Sequence, residues 1–160
     1  MTENPHFAAP ATWDEAAALV PFEPFTRDEL GGRPLRSLAV FVNDHEFRDV
    51  APGERSLEAY YDGFVFSQSR PGDDAARERA FEISYGRAPR DVELGGPDAQ
   101  PSLRARVYEL GPEPGPDDPD PRMPAVLAWA DGEVFCLLAS ETLEADELIE
   151  MARSLYGNGD

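Results

Sequence analysis

Two Asp-Gly dipeptides constrain this chain more than any other feature. Leu57–Tyr61 and Phe64–Ser67 flank Asp62-Gly63, and residues 125–130 and 133–139 flank Asp131-Gly132. A two-residue Asp-Gly between β-rich runs predicts a type I′ hairpin, because both central positions need positive φ. Hairpins join antiparallel neighbours, so the expected framework is an antiparallel sheet. Residues 134–139 are apolar at both phases of the alternation, which predicts a central strand covered on both sides.

Other strands follow from the same period. Leu38, Val40 and Val42 alternate with Ala39 and Phe41 in a mostly buried strand. Phe81, Ile83 and Tyr85 alternate with Glu82 and Ser84, a strand with one wet face. Val92 and Leu94 mark a short strand, and residues 103–110 another. Gly31-Gly32 and Gly95-Gly96 read as turns. Residues 111–124 hold six prolines with Asp117, Asp118 and Asp120. Proline denies ladder donors and the acids repel, so this is an acidic Pro-rich loop.

Helices are expected at both ends. Thr12 is a cap with Glu15 reaching back to its N–H, and Trp13, Ala16, Ala17 and Val20 form the apolar stripe. Pro21 stops this helix, since the residue before a proline avoids the helical region. Residues 21–25 should then be extended, anchored by Phe22 and Phe25. Near the C-terminus, Leu143 and Leu148 stand at the staple positions around Glu144, with Glu147 at the capping-box position. Leu148, Ala152 and Leu155 form its stripe, extended by Ile149 and Tyr156, and Gly157 ends it. Each helix has an apolar stripe to bury, so both are expected on one face of the sheet. The predicted fold is α+β: a single antiparallel sheet of about seven strands with an N-terminal and a C-terminal helix on one face. Residues 1–11 read as a flexible tail and 12–157 as one domain.

Charge narrows the function classes. There are 32 acidic residues against 14 basic ones, all Arg, for a net charge of −18. Such a surface repels phosphate backbones, so nucleic acid is not an expected partner. The acids are spread along the whole chain, which favours adaptation to a saline interior over a surface evolved to dock a basic partner. No apolar run approaches the ~20 residues of a membrane span. The first eleven residues also lack a basic start and an apolar core, so the chain reads as cytoplasmic and without membrane insertion.

Val126–Trp129, Asp131-Gly132, Phe135–Ser140 and the run from Leu143 to Tyr156 together resemble a known pattern. It is that of the uncharacterised domain at the extracytoplasmic C-terminus of bacterial anti-sigma factors and in related lipoproteins. Val92–Gly96 with Ala99, and Glu15-Ala16 through Phe22, resemble further parts of it. The likeness is best over residues 124–156. It implies a curved, half-barrel-like antiparallel sheet with helices on the concave side, and it brings no catalytic residues. This chain departs from the pattern in having no transmembrane segment and no sigma-binding helical domain, so an extracytoplasmic role does not carry over.

No catalytic constellation is legible. Cys136, the single cysteine, lies between Phe135 and Leu137 and reads as a small hydrophobe. Asp44, His45 and Glu46 form a solvated loop, and Asp117, Asp118 and Asp120 lack the glycine and terminal glutamate of a calcium loop. No metal or cofactor is expected. The aromatic load of nine Phe, five Tyr and two Trp first fills a core. A sharper reading places part of it around an apolar cleft under the sheet. Tyr60, Tyr61 and Trp129, near the hairpin turns, are the expected rim. Two functions follow: a non-enzymatic regulatory or interaction domain with a protein partner, and, as the alternative, a carrier or sensor of a hydrophobic small molecule, a lipid or a peptide, in that cleft.

Overall fold

Both Asp-Gly segments turn the chain back on itself. A computed structural model describes residues 7–43, 54–70, 89–94, 103–112, 114–117, 122–132 and 134–158. Strand β4 (Glu54–Tyr61) pairs with β5 (Phe64–Ser69), and β8 (Ala125–Asp131) with β9 (Val134–Ser140). A third tight hairpin joins β2 (Glu29–Leu30) to β3 (Arg33–Asn43) through Gly31-Gly32. The remaining strands are β1 (Phe7–Ala8), β6 (Arg90–Leu94) and β7 (Leu103–Tyr108).

The strands make an antiparallel half-barrel in the order β1-β3-β4-β5-β9-β8-β7-β6, with β2 attached to β3. Among the described residues, eight strands thus lie on the main path, not about seven. The difference comes partly from β1, whose Phe7 and Ala8 pair with Phe41 and Val40. These residues fall inside the expected loose tail. A two-residue strand has no alternation to read, so only its partner reveals it. The strand expected over Phe81–Tyr85, the turn at Gly95-Gly96 and the loop at Asp44–Glu46 lie outside the described residues. So do His6, Asp118 and Asp120.

The second Asp-Gly turn is displaced by one residue from the expected register. Asp131 pairs with Val134, so Asp131 lies in the ladder rather than in the turn, and Gly132 has φ 61°. In the first hairpin Tyr61 pairs with Phe64 and the loop is Asp62-Gly63, as the dipeptide predicts.

Pairing fixes which side chains share a face. Leu57, Gln68, Cys136, Trp129 and Ala105 lie in one row across five strands, and Leu38, Ala59, Phe66, Leu138, Leu127 and Val107 in the next. This inner face supplies most of the core. Trp129, Phe66, Leu57, Leu127 and Leu138 are all 0 % exposed. The Phe66 and Trp129 rings stack across β9 at 6.0 Å between centroids. The outer face carries a smaller cluster of Ala128 and Phe135, with Ala130 and Leu137 against it.

Two helices join the inner cluster. Helix α1 (Trp13–Leu19) contributes Ala16, and α2 (Ala145–Arg153) contributes Leu148, Ile149 and Ala152. Thr12 caps α1 by accepting from the Glu15 N–H at 3.2 Å. The Glu15 carboxylate, however, takes the N–H of Ala11 at 2.7 Å, one residue before the expected partner. Val20 is extended before Pro21, which ends the helix there. At α2 the Glu147 carboxylate does accept from the Glu144 N–H, at 2.8 Å. The helix does not stop cleanly at Gly157. It relaxes into a π-helical turn over Ser154–Asn158.

Ser140 ties this helix to the first hairpin. Its hydroxyl donates to the Gly63 carbonyl at 2.7 Å and accepts from the N–H groups of Thr142 and Leu143. The base of the Pro-rich loop is clasped as well. Gly111 N–H donates to the Met123 carbonyl, and Arg122 donates back to the Gly111 carbonyl at 2.7 Å. No described residue of 111–124 is in a strand or helix. Among the described residues, no helix is long and apolar enough to cross a membrane.

Candidate functional site

The three aromatic residues expected to form one rim occupy different places. Tyr60 is 36 % exposed, and its hydroxyl donates to Glu58 at 3.4 Å. Tyr61, on the opposite face of the same strand, is 5 % exposed and stacks on Phe64 with centroids 4.8 Å apart. Its hydroxyl donates to the Arg27 carbonyl at 2.6 Å. Trp129 is fully buried, and its indole N–H donates to the Tyr156 hydroxyl at 2.8 Å. That hydroxyl in turn donates a hydrogen bond to the Asp131 carboxylate at 2.9 Å. The one-residue shift of the turn makes this possible, because it places Asp131 in phase with Trp129.

The segment 19–28 crosses the inner face beside these groups. Phe25 sits edge-on to Tyr156, with centroids 5.5 Å apart, and 6.3 Å from Phe66. Gln68 is buried at 0 % exposure in a phase otherwise held by Phe64 and Phe66. Its amide accepts from the Phe25 N–H at 2.8 Å and donates to the Phe25 carbonyl at 3.1 Å. The side chain thus does what a neighbouring strand would do. A buried amide without partners costs about 1–3 kcal/mol, so Gln68 and the segment depend on each other. A shallow depression of about 320 Å³ lies between residues 23–25 and the pair Asp131 and Val134.

The larger opening is elsewhere, between the β2–β3 hairpin and α2. It encloses about 630 Å³. Leu30, Gly31 and Met151 form its apolar floor. Gly31 has φ 62°, and a Cβ there would stand 2.7 Å from the Met151 methyl, so only glycine lets the hairpin approach the helix this closely. Arg27 and Arg33 line one wall, and Glu147 and Glu150 line the other with Asp146. Glu147 and Glu150 are three apart on α2 and so lie on one helical face. Asp146 is engaged by Arg90 at 3.3 Å, Glu150 by Arg153 at 3.4 Å, and Arg33 by the Asp62 carbonyl at 2.9 Å.

Titration states follow from burial. Desolvation pushes the Cys136 thiol well above its ordinary value, and nearby Asp131 adds to this. Burial likewise raises the phenols of Tyr61 and Tyr156. All three are protonated at neutral pH, so the thiol is not a nucleophile there. Among the described residues, no group of three or more His, Cys, Asp or Glu could hold a metal ion.

Sequence reasoning passed over Gln68, Arg27, Arg33, Glu147 and Glu150 as site residues. Only Gln68 carried a usable signal, a polar residue in the apolar phase of a strand. The groove walls come together from positions about 120 apart in the chain, which no local pattern reveals. Against this geometry, no family model, no curated protein and no solved structure matches the chain.

Proposed function

We propose that the chain is a non-enzymatic interaction domain that docks a basic segment of a protein partner in the groove between the β2–β3 hairpin and α2. In this reading both helices lie against the inner face of the half-barrel, in the architecture of the anti-sigma-associated domain it resembles. The observation that carries the reading is the unequal charge of the groove. Around an apolar floor, Glu29, Asp146, Glu147 and Glu150 outnumber Arg27 and Arg33. A net charge of −18 on the whole chain adds long-range attraction for a basic partner, and the local carboxylates then set where it lands. A second reading, a carrier for a hydrophobic ligand, draws on the apolar inner face. It requires Phe25 and Tyr156 to vacate that face.

The test separates the groove from general acidity. An octa-arginine peptide is titrated in 0.15 M salt against the unaltered chain, a Glu147→Gln/Glu150→Gln variant, and an Asp14→Asn/Asp117→Asn control of equal charge. The groove variant is expected to lose at least tenfold in affinity and the control less than twofold. Equal losses would sink the proposal, since binding would then follow diffuse surface charge.

A further inference from the structure

We infer that the inner face around Gln68 is a second binding site, one for an extended peptide with an aromatic side chain, and that the chain's own segment 19–28 fills it here. This inference does not rest on the groove reading.

The segment is held through its backbone and by Leu19, Val20, Phe22 and Phe25, whose side chains pack against the inner cluster. Arg55 donates to the Leu19 carbonyl at 2.6 Å and Arg70 to the Pro21 carbonyl at 3.0 Å. Gln68 takes both the N–H and the carbonyl of Phe25, and Tyr61 donates to the Arg27 carbonyl at 2.6 Å. The Asp28 carbonyl is bonded as well, accepting from the Leu35 N–H at 2.8 Å. None of these bonds depends on which side chains the segment carries. Phe25 adds the one aromatic contact, against Tyr156 and Phe66. Pro21 and Pro24 have no N–H, so the segment itself offers few ladder donors to the sheet. Phe25 remains only half-buried.

A surface that pairs main-chain atoms and takes apolar side chains beside them suits an extended peptide with an aromatic residue, as peptide-recognition grooves do. The ligand class follows from Gln68. A lipid chain would cover the apolar rows but leave a fully buried amide unpaired. A peptide supplies the N–H and carbonyl together. The depression beside residues 23–25, bordered by Asp131 and Val134, is where an incoming strand would start.

The experiment uses the full chain and a labelled peptide of its own residues 19–28. In a Phe25→Ala variant, shown folded by near-ultraviolet circular dichroism, the internal segment loses its aromatic anchor while the receiving residues stay. Fluorescence anisotropy should then show binding at least tenfold tighter than to the unaltered chain. The peptide lacking that phenylalanine should bind at least tenfold more weakly, and so should the Phe25→Ala/Gln68→Leu variant. A folded Phe25→Ala variant that ignores the peptide overturns the proposal. So does one that binds a fluorescent fatty acid instead, with no dependence on Gln68. Amide exchange on the unaltered chain needs no substitution: the Phe25 N–H should exchange through local opening, at least a hundredfold faster than those of Phe66 and Leu138. Exchange at their rate would show that the segment never leaves, and would overturn the proposal as well. The groove variant Glu147→Gln/Glu150→Gln should bind the peptide like its parent chain, so failure here is distinct from failure at the groove.

Discussion

The two Asp-Gly turns carry the same dipeptide and use its aspartate in opposite ways. At the β4–β5 turn Asp62 stays in the loop, 59 % exposed, with Arg36 3.7 Å away. At the β8–β9 turn Asp131 is drawn into the ladder opposite Val134, and its carboxylate holds the Tyr156 hydroxyl. That hydroxyl in turn satisfies the buried Trp129 indole. A turn dipeptide therefore places a hairpin to within a residue. What packs beside the turn chooses the final register, because a buried donor must find an acceptor while an exposed one has water.

The comparison can be broken most easily at the rings themselves. Trp129→Ala should cost about 3–5 kcal/mol, since a fully buried large side chain is lost from the centre of the inner face. Tyr60→Ala, on the exposed side of the first hairpin, should stay within about 0.5 kcal/mol. Urea denaturation of both variants gives the two values, and similar losses would contradict the placement of these residues.

A smaller difference is expected between the aspartates. Asp131→Ala strips the Tyr156 hydroxyl of its acceptor and should cost about 1–3 kcal/mol. Asp62→Ala removes one exposed ion pair, worth about 0–1 kcal/mol. A Tyr156→Phe background sharpens the result. In it, most of the Asp131 effect should vanish while that of Asp62 persists.

The least effect should appear only in alkali. In the fold, Cys136 of the second hairpin stays protonated above its ordinary value of 9.0, and Tyr61 and Tyr156 above 10.0. The unfolded chain binds fewer protons than the fold once pH passes those ordinary values. Stability is therefore unaffected by these groups at lower pH and declines as pH rises past 9 and then 10. Cys136→Ala should delay the onset of the decline to the tyrosine range. A pH series of melting curves that keeps its onset near 9 in that variant would show that the thiol plays no part.

Legibility in the sequence tracks how local each interaction is. The Glu147 bond at the start of α2 and the Thr12 cap of α1 are visible because the partners stand three residues apart. The Glu15 carboxylate takes the N–H of Ala11, one residue from the Thr12 N–H that the capping pattern predicts. Of the expected rim, Tyr60 and Tyr61 were separated by alternation alone, which sends neighbours on a strand to opposite faces. The groove between Arg27 and Glu150 leaves no local signal, because its two walls meet only when the β2–β3 hairpin folds onto α2.

The amino-acid order by itself determined, to within a residue, both Asp-Gly hairpins and the strands beside them, together with the starts of both helices. Those choices depend on φ preferences, alternation and contacts within a few residues. Tertiary structure alone decided that Gln68 would act as a partner for Phe25, that Asp131 would leave its turn, and that opposite charges would face each other across Gly31 and Met151. Each of these joins groups far apart in the chain, and each is set by the need to pair a buried polar group or to fill a space that exists only once the sheet has closed around its core.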